Sequence, residues 1–407
     1  MKKLSVMALG LVAAGSLSAQ TALVKDAEKA FKSADSYPAF SEAVTVITPA
    51  FTNPETAKDS KTYAIPAENA FRIFDNMYAR QTLGQAVDGV EMGQLLNDGF
   101  KYTFMTLDVD TIVDAKGKTK TPNSKKVAEK LAGHMGDYIN AFNAFWEKQQ
   151  WEPAYEAATA YVSIPGNPRL GKAAPAVPAD SVIGQMQYYR ALAAWQAQKL
   201  DKAAEVFDQL LAAGYPDQQA YDYAYSVAYS LQDEARKLAY SQAALEKFGT
   251  ANPAFLQRIV NCYIDQKNFA EAETMLNAAI AAEPTNGAYY LSLGVLQENQ
   301  EKPEESLATY KKAVEMAPDN AYANYYYGRA ILQKYDRLDQ AAGSMSQAEY
   351  NKYAFETLRP MLKDAAGYLE KAYALDNDLT DPLRYLKNIY YVLDDGENLK
   401  RVENLLL

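Results

Sequence analysis

The chain has 407 residues, a formal net charge of −10 and one cysteine. Nucleic-acid affinity comes largely from basic side chains that neutralise phosphates, so an acidic chain of this kind is a poor candidate for a nucleic-acid-binding protein. One cysteine excludes a disulfide within the chain. Because Cys262 lies among apolar residues of a helical pattern, we expect a small buried side chain and not a reactive thiol.

The amino-terminal residues have the pattern of a secretory signal peptide. Two lysines are followed by the apolar run Leu4–Leu17 and then by Ser18 and Ala19. This order is typical of signal peptides, and we expect residues 1–19 to be removed. The run is too short and too rich in Gly and Ala for a membrane span, and no later segment is apolar enough to cross a bilayer. The sequence predicts an exported protein of a Gram-negative bacterium, either periplasmic or secreted and outer-membrane-associated.

Residues 20–162 have a loose helical periodicity. Val24, Ala27 and Phe31 follow the spacing of an amphipathic helix. Further helices are predicted at Phe40–Phe51, Thr62–Tyr78, Asp88–Leu107 and Lys126–Gln149, and from Trp151 to Tyr161. The sole histidine, His134, has no partners at zinc-ligand spacing, so we expect a surface or helix-capping role for it.

The segment Asp108–Lys126 is predicted to be a solvated connector. Gly117-Lys118-Thr119 is similar to the end of a phosphate-binding loop, but Ile112 occupies the place of the required leading glycine. Three aspartates suggest a calcium site, but the ligand spacing and closing glutamate of an EF-hand are absent from the sequence.

Residues 163–181 are rich in proline and glycine, which argues against regular structure. We predict a linker here, between an irregular amino-terminal half and a more regular carboxy-terminal half. A loop of this length is either functional or a spacer between two mismatched helical units, and the sequence leaves both possibilities open.

Residues 253–320 contain two copies of one pattern. Matching residues 34 positions apart are Leu256 and Tyr290, Val260 and Gly294, Ala272 and Ser306, Leu276 and Tyr310, Ala279 and Ala313, and Pro284 and Pro318. The small residues allow two helices to pack closely, and the proline ends the second helix. The pattern resembles the tetratricopeptide repeat (TPR). This resemblance implies an all-α fold, a right-handed superhelical solenoid of antiparallel helix pairs.

The resemblance covers residues 182–407 well, and we predict a TPR array there. Residues 20–162 are interpreted as degenerate TPR-like helices. In the unit that starts at Ala321, Gly328 is followed by its matching small residue, Ala365, roughly 25 residues later than usual. We therefore predict a helical insertion at about 338–362.

The TPR resemblance also implies a concave binding surface. In the family, the second, fifth, ninth and twelfth positions of each repeat point into this surface. Carried over to this sequence, they give the predicted partner-binding residues Gln257, Asn261, Leu291, Tyr322, Tyr325, Arg329, Arg384, Asn388 and Tyr391. Glu298 and Leu332 occupy equivalent positions. Tyrosine and arginine suit such a surface because they offer large area and a fixed fork of donors.

By this resemblance the protein is a non-catalytic scaffold for a protein or peptide partner. Hydrolase, zinc-helix and dinucleotide motifs are absent from the sequence, and no cofactor or metal is predicted. The alternative is a glycan- or small-ligand-binding envelope protein on a TPR-like scaffold, because Tyr-lined surfaces suit sugar stacking. The excess of Tyr over Phe, 31 to 14, is also expected if many tyrosines cap the edges of the core with a solvated hydroxyl. The sequence determines neither the partner nor the oligomeric state.

Overall fold

A computed structural model describes residues 22–113, 119–249 and 252–406. The predicted signal peptide and the Gly117-Lys118 pair lie outside these ranges. The described chain is all-α, as expected, apart from one hairpin in which β1 (Ile112–Val113) pairs antiparallel with β2 (Thr119–Lys120). No helix in these ranges combines the length and apolar character needed to cross a membrane.

The amino-terminal helices are α1 (22–33), α2 (Tyr37–Thr52), α3 (Lys61–Thr82), α4 (Gly89–Val109), α5 (Ser124–Gly133), α6 (Asp137–Glu147) and α7 (Trp151–Ser163). The single helix predicted over Lys126–Gln149 is wrong, because α5 and α6 are separate. Gly133 and Gly136 flank the break, and glycine lowers helix stability at both sides. His134 caps α5, since its backbone N–H donates to the Lys130 and Leu131 carbonyls.

The remaining helices are α8 (Asp180–Gln196), α9 (Leu200–Ala212), α10 (Gln218–Ser230), α11 (Glu234–Phe248), α12 (Pro253–Asp265), α13 (Phe269–Ala282), α14 (Gly287–Asn299), α15 (Pro303–Met316), α16 (Ala321–Ala341), α17 (Gln347–Tyr353), α18 (Arg359–Leu375), α19 (Asp381–Leu393) and α20 (Gly396–Leu405). A 3₁₀ turn and a π-helical segment, Ala354–Leu358, connect α16 and α17 to α18. These elements occupy the predicted insertion.

Helix starts repeat with the same period as the sequence pattern. Asn252, Asn286 and Asn320 are 34 residues apart and precede α12, α14 and α16. In each case the side-chain oxygen accepts a hydrogen bond from a backbone N–H of the first turn. An asparagine cap satisfies a donor that the helix cannot pair internally, so it fixes where each repeat begins.

The turns inside the pairs also repeat. Gln198, Lys267 and Glu301 have left-handed φ values of 60°, 57° and 60°. The N–H of the following residue then donates to a carbonyl five residues back: Lys199 to Ala194, Asn268 to Tyr263, and Lys302 to Gln297, at 2.9, 2.7 and 2.9 Å. This reversal joins α8 to α9, α12 to α13 and α14 to α15 through the same short turn.

The chain consists of two compact units, Met1–Leu231 and Gln232–Leu407. This boundary differs from the linker predicted at 163–181. Across that linker α7 and α8 pack against each other. The linker itself contains a short 3₁₀ segment, Pro168–Ala173, and buries Leu170. Proline and glycine therefore mark an anchored loop within the first unit and not a division of the chain.

Each unit has its own apolar core. In the first unit, Phe31, Phe71 and Phe145 belong to one cluster of fully buried side chains. The second unit has a cluster around Leu256 and Leu276 and another that extends over α15, α16, α18, α19 and α20. Cys262 is buried, as expected, and burial raises the pKa of its thiol.

Close helix contacts in the second unit occur at the glycines of the repeat pattern. A Cβ at Gly294 would lie 2.4 Å from Cε1 of Tyr310, so α14 packs on α15 with no room for a side chain. A Cβ at Gly328 would lie 2.9 Å from Cγ of Leu369. The partner helix of α16 is thus α18, and the inserted residues lie between the two members of the pair.

Candidate functional site

An open cleft of 470 Å³ lies in the second unit, and we call it the α16–α19 cleft. It is lined by Glu298, Arg329, Leu332, Gln333, Tyr335, Asp336, Leu362, Tyr385, Asn388, Ile389 and Val392. α14 contributes the first of these, α18 contributes Leu362, and α16 and α19 contribute the rest. Four of the lining residues occupy groove positions of the TPR resemblance: Glu298, Arg329, Leu332 and Asn388.

Glu298 is the centre of a polar network at one end of the cleft. Its carboxylate accepts hydrogen bonds from the Tyr310 hydroxyl at 2.9 Å and from Nε2 of Gln333 at 2.8 Å. It also forms an ion pair with Arg329. Three donors from two helices therefore hold this carboxylate, which leaves little capacity for a partner's donors.

Arg329 is held on both sides. Its guanidinium carbon lies 4.6 Å from the ring centroid of Tyr326 and 5.7 Å from that of Tyr325. Burial opposes its charge, but Glu298 and the neighbouring tyrosines outweigh this and raise the pKa of Arg329. An arginine fixed between aromatic faces and a carboxylate is preorganised and remains charged at any physiological pH.

Asp336 differs from Glu298 because it has no basic partner among the described residues. No ion pair joins it to any cation of the described residues. Partial burial and the nearby Asp339 raise its pKa. Since Glu298 already neutralises Arg329, Asp336 leaves the cleft with an unbalanced negative charge beside a largely apolar surface.

That surface consists of six apolar or aromatic side chains: Leu332, Tyr335, Leu362, Tyr385, Ile389 and Val392. Val392 is 49% exposed, so the apolar surface reaches solvent. Exposed apolar area next to a few fixed polar groups is typical of a recognition site.

The α16–α19 cleft includes only part of the nine predicted partner-binding residues. Arg329 and Asn388 line the cleft. Tyr325 is only 8% exposed and packs against the rings of Tyr326 and Tyr385. Tyr325 thus packs behind the cleft residue Tyr385 and exposes little surface to a partner.

On α12 and α14, the predicted residues form a separate group. Nε2 of Gln257 donates to Oδ1 of Asn261 at 3.4 Å, and the Ser292 hydroxyl donates to Gln257. Leu291 is half-buried and packs against the core that includes Tyr310. None of the three predicted residues in this group lines the α16–α19 cleft.

Three predicted residues are exposed outside the lining of the cleft. Tyr322 is 51% exposed and Tyr391 is 76% exposed. The Arg384 side chain is 76% exposed and forms an ion pair with Asp381 at 3.8 Å. These residues are therefore accessible to a partner without lining the cleft.

The repeat positions used in the sequence analysis did not predict two residues of the cleft, Gln333 and Asp336. Gln333 is the thirteenth residue of α16, where the repeat helices α12 and α14 end, and Asp336 lies on the part of α16 that continues beyond this length. Arg329, Gln333 and Asp336 follow i, i+4, i+7 spacing and therefore share one helix face. No glycine, proline or asparagine follows Leu332 closely in the sequence. This signal could have predicted a longer helix, with Gln333 and Asp336 on the same face as Arg329.

The two loops of the first unit have structural roles. Asp110 is buried and accepts hydrogen bonds from the Ser60 hydroxyl, at 2.6 Å, and from the backbone N–H groups of Asn123 and Ser124, at 2.8 and 2.6 Å. Burial raises its pKa, but these hydrogen bonds outweigh burial and lower it overall. The expectation of a solvated connector is thus wrong at Asp110, which ties the start of α5 to α3.

Arg169 anchors the second loop. Its guanidinium pairs with Asp108 and lies 4.9 Å from the ring centroid of Phe104.

Among residues 22–113, 119–249 and 252–406, no group of three or more His, Cys, Asp or Glu side chains could hold a metal. The Asp114 part of the calcium hypothesis lies outside the described residues.

His134 is enclosed by aromatic and acidic groups. Its ring stacks on Phe71 with centroids 5.0 Å apart and meets Phe74 edge-on at 5.2 Å. Nδ1 lies 3.0 Å from Asp137 and Nε2 lies 3.4 Å from Asp75. The capping role expected from the sequence is confirmed, whereas the surface position is wrong, because the side chain is only 14% exposed.

The first unit also has an aromatic cleft of 370 Å³ among α6, α7 and α8. The rings of Phe142 and Trp146 lie 5.3 Å apart, and Tyr189 contacts both at 5.8 and 5.9 Å. Two amides, Asn143 and Gln185, complete the polar part of the lining. The large Phe142, at a position where the repeat pattern has a small residue, contributes one of its walls.

Residues 179–219, 258–321 and 296–354 match the family model of the tetratricopeptide repeat. These segments are similar to tetratricopeptide repeats. They include the cleft residues Glu298, Arg329 and Asp336. No curated protein matches the sequence.

Solved structures of TPR proteins resemble the chain at low identity. YrrB, described as a TPR protein with an unusual peptide-binding site, is 19% identical over 48% of this chain and 96% of its own, with a TM-score of 0.32. A tetratricopeptide repeat protein from Parabacteroides merdae is 13% identical over 67% and 93%, with a TM-score of 0.39. The C-terminal part of a TPR protein from Cytophaga hutchinsonii is 15% identical over 69% and 93%, with a TM-score of 0.37.

Proposed function

We propose that this protein is a non-catalytic scaffold that binds a segment of a partner protein in the α16–α19 cleft. The observation that carries this proposal is the combination of six apolar side chains with Asp336, which has no neutralising cation among the described residues. The cleft shares four positions with the surface that TPR proteins use for partners.

The partner segment that fits has aliphatic side chains next to a lysine or arginine. Aliphatic groups would cover Leu332 and Val392 and remove their apolar area from water. A basic side chain would neutralise Asp336 and reverse the rise in its pKa. An acidic partner is disfavoured, because Glu298 and Asp336 would repel it and Arg329 is already paired.

We also propose that the protein acts in the cell envelope. The basic start, apolar run and small residues of positions 1–19 support export. The partner would then be another exported protein or the exported domain of a membrane protein.

Selection from a random peptide library tests the partner chemistry. We expect the wild-type protein to enrich peptides with Lys or Arg beside Leu, Ile or Val. The charge reversal Asp336→Lys should shift the selection to Asp or Glu at the same place, because the unbalanced charge changes sign. The matched control is Asp265→Lys, which reverses an exposed carboxylate at the end of α12, outside the cleft.

Direct titration completes this test. We expect Asp336→Asn to weaken a selected peptide about tenfold, the usual loss for one charged hydrogen bond. A selection that is the same for wild type and Asp336→Lys would contradict the proposed site. Equal changes with Asp265→Lys would show that net charge, and not the cleft, governs binding.

A second candidate function is glycan binding, favoured by the aromatic cleft of the first unit. The rings of Trp146 and Tyr189, which pack on the buried Phe142, offer stacking surfaces, and Asn143 and Gln185 offer neutral donors and acceptors. We expect a neutral oligosaccharide to bind on a glycan array and Trp146→Ala to abolish the signal. Trp195→Ala, outside this cleft, is the control. An array without signals, or equal losses in both variants, would exclude this function.

A further inference from the structure

A pocket of 520 Å³ in the first unit is lined mainly by positively charged side chains, although the chain as a whole is acidic. Five cationic side chains line it: Lys32, Lys61, Arg72, Lys126 and Lys130. The lining carboxylates are Glu28 and Glu68, so the lining has a net charge of +3, whereas the whole chain has −10. Helices α1, α3 and α5 contribute these cations, which converge from three directions.

The carboxylates of the pocket do not neutralise all of its lysines. One carboxylate, Glu28, is shared by two lysines: it lies 3.2 Å from Lys32 and 3.3 Å from Lys61. Hydrogen bonds from Lys32 and Lys61 lower the pKa of Glu28. Glu68 pairs with Lys126 at 2.6 Å. Glu28 therefore leaves one positive charge of its two lysines unbalanced, whereas Glu68 balances Lys126.

Lys130 has a partner outside the lining. Its ammonium lies 3.8 Å from Asp75, which is half exposed. Even with Asp75 counted against it, the pocket keeps an excess of two positive charges. Such an excess in a partly enclosed site attracts anions and raises their local concentration.

Arg72 is a fixed donor in this pocket. Its Nη2 donates to the carbonyl oxygens of Phe31, at 2.7 Å, and Ala34, at 2.9 Å, at the end of α1. Its Nε donates to Oδ1 of Asn69 at 3.0 Å. No hydrogen bond from Nη1 to another described residue is formed. The guanidinium is therefore held in place with one nitrogen available to a ligand.

We propose that this pocket binds a phosphomonoester. At neutral pH such a group has nearly two negative charges and three acceptor oxygens. It therefore matches an excess of two to three positive charges better than a single carboxylate does. The proposal does not depend on the α16–α19 cleft, because the pocket is formed only by residues of the first unit.

Isothermal titration calorimetry of the whole protein tests the proposal. The soluble probes are inorganic phosphate, glucose 6-phosphate and glucose. Vesicles of phosphatidylcholine with and without phosphatidic acid present the same group on a lipid. We expect glucose 6-phosphate to bind and glucose not to bind, with affinity falling as salt is added, since salt screens the charges.

Two variants and a control assign the binding to the pocket. Lys61→Gln and Lys126→Gln should each weaken binding about tenfold, the effect of losing one charged hydrogen bond. Lys29→Gln removes the same charge from α1, but this side chain is 80% exposed, pairs with Asp26 and lies outside the lining. Lys29→Gln should leave the affinity unchanged.

The outcomes separate the sources of the phosphate. Binding of glucose 6-phosphate supports a soluble ligand, and binding of phosphatidic acid vesicles alone supports a lipid headgroup. Failure of all phosphate probes to bind would overturn the proposal. Equal weakening by Lys29→Gln and Lys61→Gln would also overturn it, because net charge would then explain the attraction.

Discussion

At the scale of single residues, Asp98 of α4 shows how burial sets the chemistry of a carboxylate. Burial raises the pKa of Asp98 to about 6. Lys101 and a hydrogen bond from Tyr37 oppose this rise, and Glu156 adds to it. The folded protein therefore keeps a proton on Asp98 at a pH where the unfolded chain has lost it. Stability is lost as pH rises from about 4 to about 6.

Asp98→Asn should remove this pH dependence. Asparagine keeps the shape and can still accept from Tyr37, but it bears no charge. We expect the variant to match the wild type near pH 4 and to be more stable by about 3 kcal/mol above pH 7, since a pKa raised from 3.8 to about 6 corresponds to about that penalty. Thermal unfolding at both pH values measures the difference. A stability gain of equal size at pH 4 and pH 8 would contradict the titration of Asp98.

Repeat position predicted Arg329 and Asn388 as partner-binding residues, and both line the cleft. Tyr325 follows the same position rule but is buried, since Tyr326 and Tyr385 pack on it. Ring packing between adjacent helices depends on side-chain shape in three dimensions, which a position count does not contain.

At the scale of elements, the contact between α14 and α15 depends on the absence of one side chain. Gly294 leaves space that the Tyr310 ring fills, and the Tyr310 hydroxyl then reaches Glu298 at 2.9 Å. A small residue on one helix therefore allows a large residue of the next to carry a hydrogen bond into the cleft. Packing and site geometry are linked through this ring.

Gly294→Ala tests this packing. A Cβ there would lie 2.4 Å from a Tyr310 ring atom, so we expect a loss of about 1–3 kcal/mol from overpacking. The control is Gly367→Ala on α18, where a Cβ would meet nothing within 4 Å. That change should stabilise the helix by about 0.5–1 kcal/mol. Melting temperatures that move in the same direction for both variants would contradict the close contact.

At the scale of the whole molecule, the repeat period predicted the helices of the second half but not the compact units. The recurring asparagine caps and left-handed turns account for the agreement between α12 and α16. The proline-rich segment at 163–181 marks a boundary in composition only, because α7 and α8 still pack across it. The division into units depends on which helix faces pack together, and this packing places α8, α9 and α10 in the first unit. The sequence pattern alone does not contain that information.

The separate apolar cores have a consequence for genetics. Asp336→Lys changes only surface charge in one unit, and Lys61→Gln changes only surface charge in the other. Neither substitution disturbs a buried contact on which folding depends. Chromosomal alleles with one or the other change would therefore act as separation-of-function mutants. A phenotype of the first allele would report on the partner protein, and a phenotype of the second on the phosphorylated ligand.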